Sequence, residues 1–161
     1  EVVMCNEIFE PLVEGQKLPV DEDGKITGMA RCVYPTGQVY EGDFVRNKME
    51  GRGRVTLPDG ETYEGEFHQG QRHGTGRTTW PNGDTHEGEY AHGKRHGPGI
   101  YRWADGRVGA VVFDQDKFKG TWVRRTAAGT FQKFLVGKMV KEVSETEAKK
   151  IIQEHRLDSP W

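Results

Sequence analysis

Five of the six histidines, His68, His73, His86, His92 and His96, fall in one central stretch of the chain. Imidazole is a common zinc ligand, so the first chemistry to weigh is a metal centre. Zinc needs its nitrogen ligands at about 2.1 Å from one ion. Equivalent positions of adjacent hairpins lie two strands apart, about 9–10 Å at the usual strand spacing. The histidines recur with a repeat rather than converging, and no metal site or cofactor is expected from them.

Other reactive groups give no better start. Cys5 and Cys32 sit in different contexts and form no Cys-x-x-Cys pair; they read as free thiols of a reducing cytosol, with a single disulfide as the alternative. No Gly-x-Ser-x-Gly occurs. The stretch "GQRHGTG" at 70–76 has the glycines of a phosphate loop. It lacks the Gly-Lys-Ser/Thr ending and leads into a strand, not a helix N-terminus. The pairs Glu64/Glu66 and Glu87/Glu89 read as the solvated face of strands, with Arg and Lys as cross-strand partners. The expectation is a protein without catalytic residues.

Charge is the remaining chemistry. Residues 1–25 carry seven acids against Lys17 and Lys25, while 117–141 carry Lys117, Lys119, Arg124, Arg125, Lys133, Lys138 and Lys141 with no acid. Such a basic run can meet anionic lipid at about 1 kcal/mol per charge. Lys117, Lys119, Arg124, Arg125 and Lys133 are therefore candidate contacts for an anionic phospholipid or a partner. Residues 40–107 balance ten basic against eleven acidic side chains, so no extended basic face follows. Aromatic and basic residues do not interleave in the manner of base-stacking surfaces, so nucleic acid is not expected.

The elements that carry these residues are set by a repeat. Stepping by 23 residues aligns Tyr40, Tyr63 and His86; then Gly42, Gly65 and Gly88; then Phe44, Phe67, Tyr90 and Phe113. Gly28, Gly51, Gly74, Gly97 and Gly120 form another column, and Gly53, Gly76 and Gly99 the next. Tyr34, Leu57, Trp80 and Trp103 follow, and each unit closes on Thr36-Gly37, Asp59-Gly60, Asn82-Gly83 or Asp105-Gly106. "Tyr-Glu-Gly-Glu-Phe" has the alternation of a strand, and the return segment does too. Asn-Gly and Asp-Gly predict hairpin turns with positive φ at both central residues. Regular glycines in strands imply that rings lie over the bare backbone of a neighbouring hairpin.

The fold expected is all-β: an elongated single-sheet solenoid of antiparallel β-hairpins with a 23-residue period, plus a short C-terminal helix. In "SETEAKKIIQEHRL", Ser144 and Glu147 form a capping box, and Ala148, Ile151, Ile152 and His155 share one face. A helix over roughly 145–157 follows, docked on the end or inner face of the sheet, or held for a partner. The divisions are an acidic cap or linker at 1–25, repeats at 26–108, degenerate capping repeats at 109–137 and the helix and tail at 138–161. In the degenerate units Gly109, Ala110 and Val111 replace Tyr-Glu-Gly, and Trp122 takes the second-glycine position.

The pattern Tyr-x-Gly-x-Phe, Gly, His-Gly-x-Gly, an aromatic and Asp/Asn-Gly resembles the MORN repeat (membrane occupation and recognition nexus). The best copies are 40–62, 63–85 and 86–108. The resemblance implies a non-enzymatic, cytoplasmic scaffold, often tied to the cytoskeleton, cilia or flagella, or peripheral to membranes. Relatives also oligomerise, and some arrays sit beside catalytic domains such as phosphatidylinositol phosphate kinases or a methyltransferase. An aromatic face not covered by other structure is a groove. Tyr34, Phe44, Phe67, Trp80, Tyr90 and Trp103 are therefore expected to receive a protein or peptide partner, unless the chain's own helix fills the groove.

Overall fold

A computed structural model describes residues 7–157 and 160. Cys5 and Glu1, the first acid of the N-terminal run, lie outside the described residues. Thirteen strands form one antiparallel sheet. They are β1 (Ile8–Glu10), β2 (Gly28–Val33), β3 (Val39–Val45), β4 (Lys48–Thr56), β5 (Thr62–His68), β6 (Gln71–Thr79) and β7 (Thr85–Ala91). Then come β8 (Lys94–Arg102), β9 (Val108–Asp114), β10 (Lys117–Phe118), β11 (Thr121–Arg125), β12 (Phe131–Leu135) and β13 (Lys138–Val143). The order in space is the order in sequence, except that β10 and β11 both pair with β9. One helix, α1 (Glu145–Glu154), follows. This is the all-β, single-sheet hairpin array expected.

Every second strand is broken by a bulge at one glycine column. Gly51, Gly74, Gly97 and Gly120 have φ between +55° and +76°, a region that glycine enters without a Cβ penalty. Register shifts fall between Gly42 and Phe44, Gly65 and Glu66, and Gly88 and Tyr90. In the fourth unit the same interruption splits the return strand into β10 and β11.

The two kinds of turn are the reverse of the expectation. At Asp59-Gly60 and Asn82-Gly83 only the glycine has positive φ, and Gly60 N–H donates to the Leu57 carbonyl at 3.0 Å. These are three-residue loops ending in a left-handed glycine. Asp59 and Asn82 instead accept from the backbone N–H two residues on. Positive φ at both turn residues occurs at the opposite hairpin ends: Arg46-Asn47, Gln69-Gly70, His92-Gly93, Gln115-Asp116 and Val136-Gly137.

Two acidic and basic ends are separated by the whole sheet. β1 pairs β2 at one edge, with Glu10 bonded to Arg31, and β13 forms the other. Ile26, Leu18 and Phe9 close the first core cluster at the acidic edge. The helix starts as read: Ser144 accepts from Glu147 N–H at 3.2 Å. It buries Ala148, Ile151 and Ile152 against Ala110, Val123 and Phe131. Those residues point away from the aromatic face, because Gly109, Val111 and Phe113 alternate with Ala110 along β9. The helix therefore covers the outer face, not the groove.

Candidate functional site

Rings on the inner face form a continuous ladder through the first three units. Phe9, Phe44, Tyr40, Phe67, Tyr63 and Tyr90 meet edge to face in that order, with centroids 4.9–5.4 Å apart. Each such pair contributes about 0.5–1.5 kcal/mol beyond burial. The glycines admit this packing within each hairpin, not between neighbours: Tyr40 lies over Gly42 and Gly53, and Tyr63 over Gly65 and Gly76. The Tyr40 and Tyr63 hydroxyls donate to the Asp43 and Glu66 carbonyls at 3.0 and 2.9 Å. Burial raises both phenol pKa values.

His86 occupies the same column with a smaller ring. It lies over Gly99, is 1% exposed, and neither ring nitrogen finds a hydrogen-bond partner. Burial, helped by the Arg95 cation and opposed by Asp116, holds its pKa down to about 3. The imidazole is neutral and works as an apolar ring.

The six groove candidates divide into two sets. Phe44, Phe67 and Tyr90 are 1–4% exposed and spend their surface on one another's units. Tyr34, Trp80 and Trp103 sit half-buried at the loop ends of the strands. Trp80 stacks on Tyr101 at 5.5 Å, and Tyr101 meets Trp103 at 4.6 Å. The Tyr101 hydroxyl donates to Asp84, and burial with that carboxylate pushes its pKa up to about 12.

The ring-on-glycine order inverts in the fourth unit. Gly109 stands where tyrosine stood, and it is Trp103 that lies over it at 3.0 Å from an added Cβ. Trp122 stands where glycine stood, stacked between Phe118 and Phe134 at 4.7 and 4.0 Å. At this break opens a concave pocket of about 330 Å³, lined chiefly by Tyr101, Trp103, Phe118, Trp122, Phe134 and two arginines. Tyr101, Phe118, Trp122 and Phe134 were not among the residues expected there. Their signal was the departure of Gly109 and Trp122 from the repeat columns.

Three guanidiniums border these rings. Arg95 lies over Phe113 at 4.2 Å and Trp80 at 5.5 Å, and its Nε is 2.8 Å from Asp116. Arg107 lies over Trp103 and is paired with Asp105 at 2.7 Å. Arg124 lies over Trp103 and Phe134 and donates from Nε and Nη2 to the side-chain Oε1 of Gln132 at 3.2 and 2.7 Å. Burial and the neighbouring Arg107 lower the Arg124 pKa, opposed by the field of Asp105, whose ion pair is with Arg107.

The other candidate basic contacts do not join Arg124. Lys119 reaches Asp114 at 3.2 Å, and Lys133 and Lys141 both reach Glu147 at the helix N-terminus. Arg125 borders a shallow depression with Phe131 and Glu145 on the helix side. Lys117 is exposed on the short β10.

The histidines diverge. His68 bonds Glu50 at 2.7 Å, His96 faces Asp114 at 3.5 Å, and the His73 ring lies 5.6 and 6.4 Å from those of His68 and His92. Among the described residues no group of three His, Cys, Asp or Glu side chains is arranged to hold a metal. No helix there is long and apolar enough to cross a membrane.

The MORN repeat family model matches residues 40–62, 63–85 and 86–106, so the chain carries three consecutive MORN repeats. No curated protein matches it. Two solved structures from Drosophila melanogaster are similar. One is the SAS-4 (dCPAP) TCP domain in complex with a proline-rich motif of Ana2 (dSTIL), at 15% identity over 78% of this chain and 76% of that one, TM-score 0.39. The other is the TCP10c domain of Sas-4, at 14% identity over 78% and 83%, TM-score 0.38.

Proposed function

We propose that this MORN repeat protein is a non-catalytic interaction module that presents the aromatic face of its sheet to a protein or peptide partner. The observation that carries this reading is the position of α1. Its apolar stripe is spent on the outer face, so Tyr101 and Trp103 keep an open pocket beside them, with Trp80 stacked on Tyr101. Aromatic and arginine side chains are also the residues that dominate protein interfaces. Half-buried rings held by a stacked neighbour lose little conformational freedom on binding.

The broader setting follows the repeat family: a cytoskeletal or membrane-peripheral scaffold, with homo-oligomers and a regulatory place beside an enzyme domain as further forms of the same role. A phospholipid-binding module is the second reading, supported by the seven basic residues of 117–141. It is weakened because Lys133 and Lys141 are engaged by Glu147 and lie across the sheet from Arg124.

The test is affinity capture by the wild-type chain beside a Trp80→Ala, Trp103→Ala variant shown to be folded by circular dichroism. A partner held by the wild type and lost by the folded variant supports the reading. A partner held equally by both places recognition elsewhere.

A further inference from the structure

Among the described residues that line the pocket, one cation has no carboxylate paired with it. Of the two arginines that line the pocket, Arg95 is matched by Asp116; Arg107, over the Trp103 ring beside it, is matched by Asp105. Arg124 has only the neutral Gln132 as hydrogen-bond partner, and no carboxylate is paired with it among the described residues. Its guanidinium carbon lies 5.7 Å from the Trp103 ring centre and 4.8 Å from that of Phe134, and Nη1 makes neither of the two bonds to Gln132. With Nε and one Nη2 hydrogen taken by Gln132, the end-on edge of Nη1 and Nη2 is the one left to take a carboxylate.

The walls around it are mostly aromatic rings, with Arg95 and its paired carboxylate Asp116 at the border. Trp103, Tyr101, Phe118, Trp122 and Phe134 line the pocket of about 330 Å³. That volume suits one or two side chains, and ring faces suit an aromatic or proline. We propose that this pocket takes a partner polypeptide segment in which a carboxylate stands beside an apolar ring residue, with Arg124 selecting the charge. The inference rests on the reading of this face as the interaction face. A bilayer surface fits less well, since lipid recognition needs several basic side chains in one plane. Here the neighbouring lysines are paired or lie on the other face.

The experiment uses the ¹⁵N-labelled full chain and the indole N–H signals of Trp103 and Trp122. Two probes are titrated: the amidated peptide acetyl-Glu-Phe-Pro-Glu and its isosteric counterpart acetyl-Gln-Phe-Pro-Gln. The acidic probe shifts both indole signals saturably and binds at least tenfold more tightly than the neutral one. Arg124→Gln, with its spectral dispersion intact, brings the acidic probe down to the neutral level and leaves the neutral probe unchanged. Equal binding of the two probes, or a preference that survives Arg124→Gln, overturns the inference while the groove reading stands. Failure of both probes to move either indole overturns the inference and the groove reading together. Arg124-dependent sedimentation with phosphatidylserine vesicles, without any peptide-induced shift, overturns it in favour of a membrane.

Discussion

The phenol of Tyr63 lies across the backbone of Gly76 on the adjacent strand and donates its hydroxyl to the Glu66 carbonyl 2.9 Å away. Ring, glycine and carbonyl are one unit of the fold, repeated at Tyr40, Gly53 and Asp43. A methyl group on Gly76 has no room, because the ring it would meet is closed in by Phe67 and Tyr90. Gly76→Ala is expected to cost about 1–3 kcal/mol or more by overpacking. Gly70→Ala, at a turn with φ +84° and open space, should cost only about 1–2 kcal/mol of backbone strain. Urea unfolding of the two variants checks the order; a Gly76 variant as stable as wild type removes the ring from that position.

His86 supplies a pH dependence whose sign is fixed. Its folded pKa is held down to about 3, against an ordinary value of 6.5. Below pH 6.5 the unfolded chain binds a proton that the native ring does not, so stability falls as pH drops toward 3. The slope approaches about 1.4 kcal/mol per pH unit. His86→Tyr restores the residue type of Tyr40 and Tyr63, and its hydroxyl can reach the Glu89 carbonyl. The variant should lose about 2 kcal/mol less than wild type between pH 7 and pH 5. Parallel stability curves from chemical unfolding at the two pH values would show that His86 is not buried neutral.

The helix is expected to matter for stability and not for recognition. Ile152, on the buried side of the helix, is 1% exposed, so Ile152→Ala should cost about 2–4 kcal/mol. Thermal unfolding reads that loss. The indole signals of Trp80 and Trp103, on the other face, should stay in place. Shifts there of the size seen for direct neighbours would mean that the helix packs on the aromatic side.

The period of the chain made the sheet legible, because a hairpin that repeats every 23 residues must place like residues in like environments. The capping box at Ser144 and the apolar stripe at Ala148, Ile151 and Ile152 gave the helix. Which face it covers depended on Ala110, Val123 and Phe131, three residues of different strands whose common direction only pairing reveals. The turns misled because Asp-Gly fits two loop types: a two-residue turn with both φ positive, and the three-residue loop found here, in which only the glycine is left-handed. The pocket was hidden for a related reason. It is built where Gly109 and Trp122 exchange roles, and a consensus describes only the positions that obey it.

The central claim is that the face bearing Trp80 and Trp103 receives the partner. It is tested most directly by selecting binding peptides from a random library on the folded chain and titrating the tightest by calorimetry. The account predicts that Trp80→Ala, Trp103→Ala, folded as judged by circular dichroism, weakens that peptide at least tenfold, while Ile152→Ala leaves its affinity within about twofold. Undiminished binding to the tryptophan variant, with loss in Ile152→Ala, would contradict it and move the site to the helix side of the sheet.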